Sequence, residues 1–287
     1  RLMVGDSTPI SNQTRRATGT GDFLTVDNLS TSAQALFDIA LKNVNFAVQQ
    51  GEIVGIAGVA GNGQEELLKA LSGEEPQKNS NAIKFKNTAV DALCPLKRRR
   101  LGLACVPEDR LGRGAVPDMD LAHNALLTSF DSGLVKKGFL VKQKISQLAD
   151  KIIKKYNVKT PSNRTHAASL SGGNLQKFII GREVEQNPQL LVMSHPTWGV
   201  DIGAQVAIHE AILTLRDEGC AVLVISEDLD ELYKICDRIG AICDGKLSPI
   251  LNTDCVPLVQ LGQWMAGDFN HDTKSNTAKI TPQGALA

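Results

Sequence analysis

Ser169-Leu170-Ser171-Gly172-Gly173-Asn174-Leu175-Gln176-Lys177 is the stretch on which the reading of this chain turns. A serine and two glycines open a predicted helix at 173–186. Amides at a helix start point outward and carry partial positive charge, so Ser171, Gly172 and Gly173 form a candidate anion cradle. A Ser-Gly-Gly by itself is usually only a loop. Its neighbours change that reading. After the helix comes an apolar, strand-like run at 190–193, which continues through Ser194-His195-Pro196-Thr197-Trp198-Gly199-Val200 to Asp201. A second apolar strand at 221–225 then runs into Ser226-Glu227-Asp228.

Far upstream, Gly58-Val59-Ala60-Gly61-Asn62-Gly63-Gln64-Glu65 lies between a predicted strand (52–59) and a predicted helix (64–71). A phosphate-binding loop requires that setting, because amides of the loop and the helix start converge on bound phosphate. Gly58 and Gly63 keep the Gly-x4-Gly spacing, and Gly61, Asn62, Gln64, Glu65 and Glu66 complete the candidate nucleotide-binding set. Two positions lack the expected chemistry. Gln64 stands where a lysine reaches the β- and γ-phosphates, and Glu65 where a Ser or Thr holds magnesium. Glutamine donates hydrogen bonds without charge; losing one charge-assisted contact costs about 1.5–3 kcal/mol, about ten- to a hundredfold in affinity. Glu65 and Glu66 suit the helix dipole but repel a nucleotide's phosphates.

Taken together with Val106-Pro107-Glu108-Asp109-Arg110-Leu111-Gly112-Arg113-Gly114 and Ile225-Ser226-Glu227-Asp228-Leu229-Asp230-Glu231, these motifs resemble those of ABC-type ATPases over about residues 21–267. The resemblance narrows to the C-terminal half of fused double ATPases that serve ribose-, galactoside- and nucleoside-type importers. It implies that Ser171, Gly172, Gly173, Asn174 and Gln176 are the signature, that 190–193 is the Walker B strand, and that Asp201 ends the D-loop. In that family each composite site takes its phosphate loop from one half and its signature from the other, with ATP and Mg2+ between them.

The same resemblance marks what is missing. Ser194 and His195 stand where the family has Asp and Glu, Glu227 replaces the switch histidine, and Glu108 replaces the Q-loop glutamine. His195 alone lacks the constellation a general base needs, and a histidine at a strand end with no catalytic duty is the plainer reading. No aromatic near 30–33 is placed to stack on adenine, Phe37 being a poorly placed substitute. No catalytic group and no metal-ligand set is intact in this half, while Ser171, Gly172 and Gly173 are kept.

The remaining pattern fits around these motifs. Strand signals at 23–26, 41–48, 101–106 and 239–243 and helix signals at 202–217 and 229–236 alternate on either side of 108–165, which carries helical periodicity at 121–127 and 145–156, many lysines and no convincing strand. The expected fold is α/β: an ABC ATPase of the P-loop NTPase type, with a RecA-like core at 21–107 and 166–250, an antiparallel β portion near its start and an inserted helical subdomain at 108–165. Residues 251–287 are a C-terminal extension, unstructured from 268. Met3 to Asp6 and Met265 to Asp268 share Met-x-Gly-Asp, so 1–20 read as the tail of an upstream copy and a linker.

Lysine plus arginine equal aspartate plus glutamate at 31 each, so no net field points to nucleic acid. Lys97, Arg98, Arg99 and Arg100 read as a solvated patch, as do Lys136, Lys137, Lys142 and Lys144 on the insert. The six cysteines read as reduced core residues. No apolar run is long enough to span a bilayer. By resemblance the partners are the upstream ATPase half, two membrane permeases contacted through 108–119, and indirectly a periplasmic or lipoprotein solute-binding protein. Its place is then peripheral, on the cytoplasmic face of the membrane. Trp198 is expected at the half–half interface. The alternatives are a regulatory module that dimerises without contributing to hydrolysis, and a soluble ABC protein unconnected with transport.

Overall fold

The structure is a computed structural model and describes residues 21–33, 38–77 and 81–269. The upstream copy of Met-x-Gly-Asp, the linker, Phe37 and residues 270–287 of the expected tail lie outside the described residues.

β1 (Asp22–Leu29) and β2 (Val44–Gln49) form an antiparallel pair. The chain then enters β3 (Ile53–Ala57), buried at every position, as a parallel strand covered on both faces must be. A glycine loop leads into α1 (Gln64–Ser72), after which β4 (Ile83–Phe85) and β5 (Thr88–Ala89) return to β1. The first sheet thus has the order β2-β1-β4-β5. α2 (Pro95–Arg100) precedes β6 (Leu103–Val106), whose start is set by the left-handed turn at Gly102 (φ 97°) rather than at 101 as the apolar run suggests.

The expected helical insert holds α3 (Leu121–Ser129), a hairpin of β7 (Val135–Lys136) and β8 (Phe139–Leu140), and α4 (Lys142–Lys155). The hairpin corrects the expectation of no strand there. Lys137 (φ 49°) and Gly138 (φ 81°) make a two-residue left-handed turn, which closes a hairpin without the usual Asn-Gly or Asp-Gly signal. α4 buries Ile145, Ala149 and Ile152, one stripe at helical spacing.

α5 (Gly172–Val184), β9 (Leu190–Ser194), α6 (Ile202–Asp217), β10 (Ala221–Ser226), α7 (Leu229–Ile235) and β11 (Arg238–Cys243) alternate as expected. β12 (Lys246–Leu247) and β13 (Leu251–Asn252) pair antiparallel with β11. α8 (Leu258–Met265) follows. The main sheet runs β12-β11-β3-β10-β9-β6, parallel from β11 to β6.

Alternation along β3 divides the core. Ile53 and Ala57 face a cluster that runs without a break into Leu121 and Ile145 of residues 108–165 and Phe178 of α5. Val54 and Ile56 face the other way, onto Leu67 and Leu71 of α1 and Phe23 and Val48 of the first sheet. Packing continues past residue 250: Leu261 and Trp264 of α8 are buried in the first cluster.

Two expectations of burial fail in part. Arg98 is fully buried in α2, and its guanidinium donates to the carbonyls of Leu71 at 2.8 Å and Asp91 and Leu93 at 3.0 Å. It satisfies carbonyls that the end of α1 leaves without helical partners. Arg99 is half-buried and reaches Glu183 at 2.7 Å, whereas Arg100, paired with Asp131 at 2.7 Å, stays exposed like Lys97. Of the cysteines, which are all free thiols, only Cys220 and Cys236 are core residues; Cys94 and Cys255 are exposed and Cys105 and Cys243 half-buried. Cys94 precedes α2 and Cys255 ends a 3-10 turn, where apolar neighbours in sequence do not bury a side chain.

Candidate functional site

Register brings the separate motifs to one edge. Ser226 is paired with Ala57, and Ile225 with Ser194, so β3, β10 and β9 all end together. The loop after β3, Glu227 after β10 and His195 after β9 therefore emerge side by side, beyond the carboxyl ends of a parallel sheet, where such folds bind ligands.

The loop is filled by its own side chains. Gly61 (φ 78°) and Gly63 (φ 110°) take the left-handed backbone of the turn, with Gly63 at the N-cap of α1. Gln64 is only 6% exposed; its Nε2 donates to the Val59 carbonyl at 2.7 Å and its Oε1 accepts from the Asn62 amide at 3.0 Å. A Cβ at Gly58 would lie 2.5 Å from that Nε2, which explains the glycine there. Asn62 braces the turn, donating to Val59 at 2.8 Å and accepting from the Asp244 amide at 3.0 Å. Across from it, a Glu227 carboxylate oxygen accepts from the Ala60 amide at 2.5 Å.

The carboxylates at the helix start have other partners. Glu65 pairs with Arg113 at 3.0 Å and Lys69 at 3.1 Å, and Glu66 accepts from the Ile39 amide at 3.0 Å. Ser194 is 3% exposed at the end of β9. His195 takes a left-handed backbone (φ 47°) with its amide donating to Ile225 at 2.8 Å, and its Nε2 stands 3.9 Å from a Glu108 carboxylate oxygen. These residues do not suit a magnesium nucleotide. No cation faces the loop from Gln64, no carboxylate stands at Ser194, and Glu65 is already bridged; no cluster of metal-ligating side chains occurs among the described residues.

The start of α5 is different. Ser171 is the N-cap of α5 and is exposed with Gly172, leaving the helix start open. Asn174 is anchored sideways: its Nδ2 donates to the Ser171 hydroxyl at 2.9 Å and its Oδ1 accepts from the Lys159 amide at 2.8 Å. Gln176 is buried at 1%, donating to the Pro196 carbonyl at 2.9 Å and accepting from Arg110 Nε at 3.1 Å. A Cβ on Gly172 would meet Arg110 Nη1 at 2.7 Å, so the guanidinium lies against the helix start. Asp201 caps α6 through the Ala204 amide at 2.9 Å, and its other oxygen would lie 3.3 Å from a Cβ on Gly173.

Sequence reading left three residues without a role. Arg113 clamps α1 by gripping Glu65 and, at 2.7 Å, Glu74. Glu231, 1% exposed, accepts from Thr197 at 2.8 Å and Ser226 at 2.8 Å and lies 3.1 Å from His209 Nε2. His209 is buried completely within α6. Arg113 and Glu231 lie inside quoted motifs, yet only geometry reveals their partners. Trp198 is 67% exposed, its ring centroid 6.4 Å from that of His195.

A glycine loop, an open Ser-Gly-Gly helix start and the Asp201-capped start of α6 lie along one parallel sheet edge, the arrangement of an ABC ATPase fold. Solved cassettes agree in fold: an ATP-binding cassette of an ABC transporter superposes with a TM-score of 0.70 at 21% identity, over 87% of this chain and 99% of that one. A cassette dimer bound to ADP and phosphate gives 0.68 at 20%, over 80% and 98%. The chain matches the ABC transporter family over residues 41–198, more than half its length, and belongs to that family. Among curated relatives it is 39% identical over 267 residues to a nucleoside import ATP-binding protein, NupA, of Lactococcus lactis, and 36% over 272 residues to a guanosine import ATP-binding protein, NupO, of Bacillus subtilis. It is 35% identical over 250 residues to a ribose import ATP-binding protein, RbsA 1, of Rubrobacter xylanophilus. These alignments cover 93%, 93% and 86% of this chain but 52%, 52% and 48% of the relatives, so the chain spans about half their length.

Proposed function

We propose that this chain is the second nucleotide-binding half of a double ABC ATPase that energises bacterial import of simple sugars or nucleosides. It supplies Ser171, Gly172 and Gly173 to an ATP and magnesium bound by the upstream half, while its own loop is degenerate. The observation that carries this reading is the contrast within one sheet edge. The start of α5 is open, with backbone amides and Arg110 turned to it. The loop at 58–63 is occupied by Gln64 and met by Glu227. An exposed positive helix start beside a filled loop suits a partner that brings phosphate to the first and nothing to the second.

The division into a core at 21–107 and 166–250 and a helical part at 108–165 follows this assignment, with 108–119 as the surface for two membrane permeases. Arg113 and Arg110 support that placement, since they join 108–119 to α1 and α5. Asp201 serves as the D-loop acid, Trp198 and Ile202 offer exposed apolar surface to the upstream half, and a solute-binding protein completes the transporter from outside. The protein then sits peripherally on the cytoplasmic membrane face. The test is ATP hydrolysis by the full-length double protein carrying Ser171→Arg. Abolished turnover is expected. Undiminished turnover would show that this signature serves no working site.

A further inference from the structure

We propose that Glu227 is the residue that keeps nucleotide out of this half's loop, its carboxylate being a resident anion seated on the Ala60 amide. The inference rests on reading 58–65 as a phosphate-type loop, and it goes further by naming the occupant.

The contact follows from the sheet. Ser226 is in register with Ala57, so residue 227 stands one step beyond the sheet edge, beside the first residues of the loop. The two groups are 167 positions apart in sequence and 2.5 Å apart in space. Both neighbours of Glu227 are fixed. Ser226 Oγ donates to buried Glu231 at 2.8 Å and accepts from the Asp228 amide at 3.1 Å, while the Asp228 side chain caps α7 at the Glu231 amide, 3.1 Å away. The carboxylate is therefore delivered to the loop by an anchored backbone.

A loop amide that receives phosphate has to be free to donate. Here the Ala60 amide already donates to a full negative charge, the stronger kind of hydrogen bond. On the other side the Gln64 amide holds the loop through Val59 and Asn62, without a positive charge to offset Glu227. Lys69 of α1 and Arg113 are spent on Glu65. An incoming polyphosphate must displace one anion and then lie beside it. Competition and repulsion act in the same direction.

The test is titration of this chain with a fluorescent ATP analogue and magnesium, with thermal melts to show that each variant is folded. Glu227→Gln removes the charge and keeps an acceptor; Glu227→Ala frees the amide. Each is expected to tighten binding about tenfold, the worth of a charge-assisted contact. Asp230→Asn, removing an exposed carboxylate three residues along, is the control and should change it less than about twofold, as an exposed charge does. If Gln64→Lys tightens binding and neither Glu227 variant does, Glu227 is not the occupant, though the loop reading stands. If none of the three tightens it, the loop reading falls as well.

Discussion

Arg110 and Gln176 stand 3.1 Å apart, Nε to Oε1, and this one hydrogen bond fastens the segment after Glu108 to the helix that begins at Ser171. Gln176 passes the connection on to the Pro196 carbonyl at 2.9 Å, five residues before Asp201. A surface segment, helix α5 and the end of β9 are thereby linked through one buried amide.

Gln176→Leu should therefore destabilise the chain by about 1–3 kcal/mol, the cost of leaving buried polar partners unsatisfied. Urea unfolding measures it. A loss under about half a kcal/mol would mean that water replaces the amide at Pro196 and Arg110.

The isolated chain should hydrolyse ATP far more slowly than the about 1 per second typical of slow enzymes. Gln64 turns its amide inward, Ser194 offers no carboxylate, and His195 faces Glu108 rather than a completed catalytic set. A purified sample that turns over ATP at that rate, in proportion to chain concentration, would contradict this.

Gln64→Lys with Glu65→Thr should raise affinity for a nucleotide analogue about ten- to a hundredfold without restoring turnover. The lysine adds the missing charge, and the threonine removes a carboxylate while releasing Arg113 and Lys69. Equal affinity before and after would mean that residues 58–65 do not receive phosphate.

Gly172→Asp in the full-length double protein should lower ATPase activity about a hundredfold or more, since weakening stabilisation of a phosphoryl-transfer transition state costs about 3 kcal/mol. The new Cβ would meet Arg110 Nη1 at 2.7 Å, so the aspartate would place its charge on that guanidinium and at the helix start. The matching change in the upstream signature faces the filled loop and should be much milder. Equal damage from both would refute the proposed division.

Acid should loosen the docking of the helical part. Burial pushes Glu183 upward, but Arg182 and Arg99 outweigh it and hold the carboxylate below its usual range. A depressed folded value means stability present above the unfolded value, about pH 4.3, and lost as pH falls through the folded value below it. Glu183→Ala should cost about 3–5 kcal/mol at neutral pH, leaving the buried Arg182 and the half-buried Arg99 without their carboxylate. Guanidinium unfolding of both proteins at pH 7 and pH 3 checks it: the gap between them should shrink at the lower pH.

Much of this was legible in the sequence because it is local. Apolar runs and the 3.6-residue period located β3, β9, β10, α4 and α6, and glycine positions located the loop before α1 and the start of α5. What escaped depends on distant partners. Arg98 looks solvated until the end of α1 arrives beside it, and the Lys137-Gly138 turn is visible only in its backbone angles. The replacements at Gln64 and Glu227 could be named from sequence. That both would settle on the same loop could not, because it depends on the alignment of β10 with β3.

Glu231 has one further consequence. Thr197, Ser226 and His209 belong to three separate segments, and all three meet at its carboxylate. Pulling any one of them away strips a partner from a charge sealed off from water, at about 1–3 kcal/mol. The stretch leading to Asp201, the strand end carrying Glu227 and helix α6 are thus joined at a single buried carboxylate.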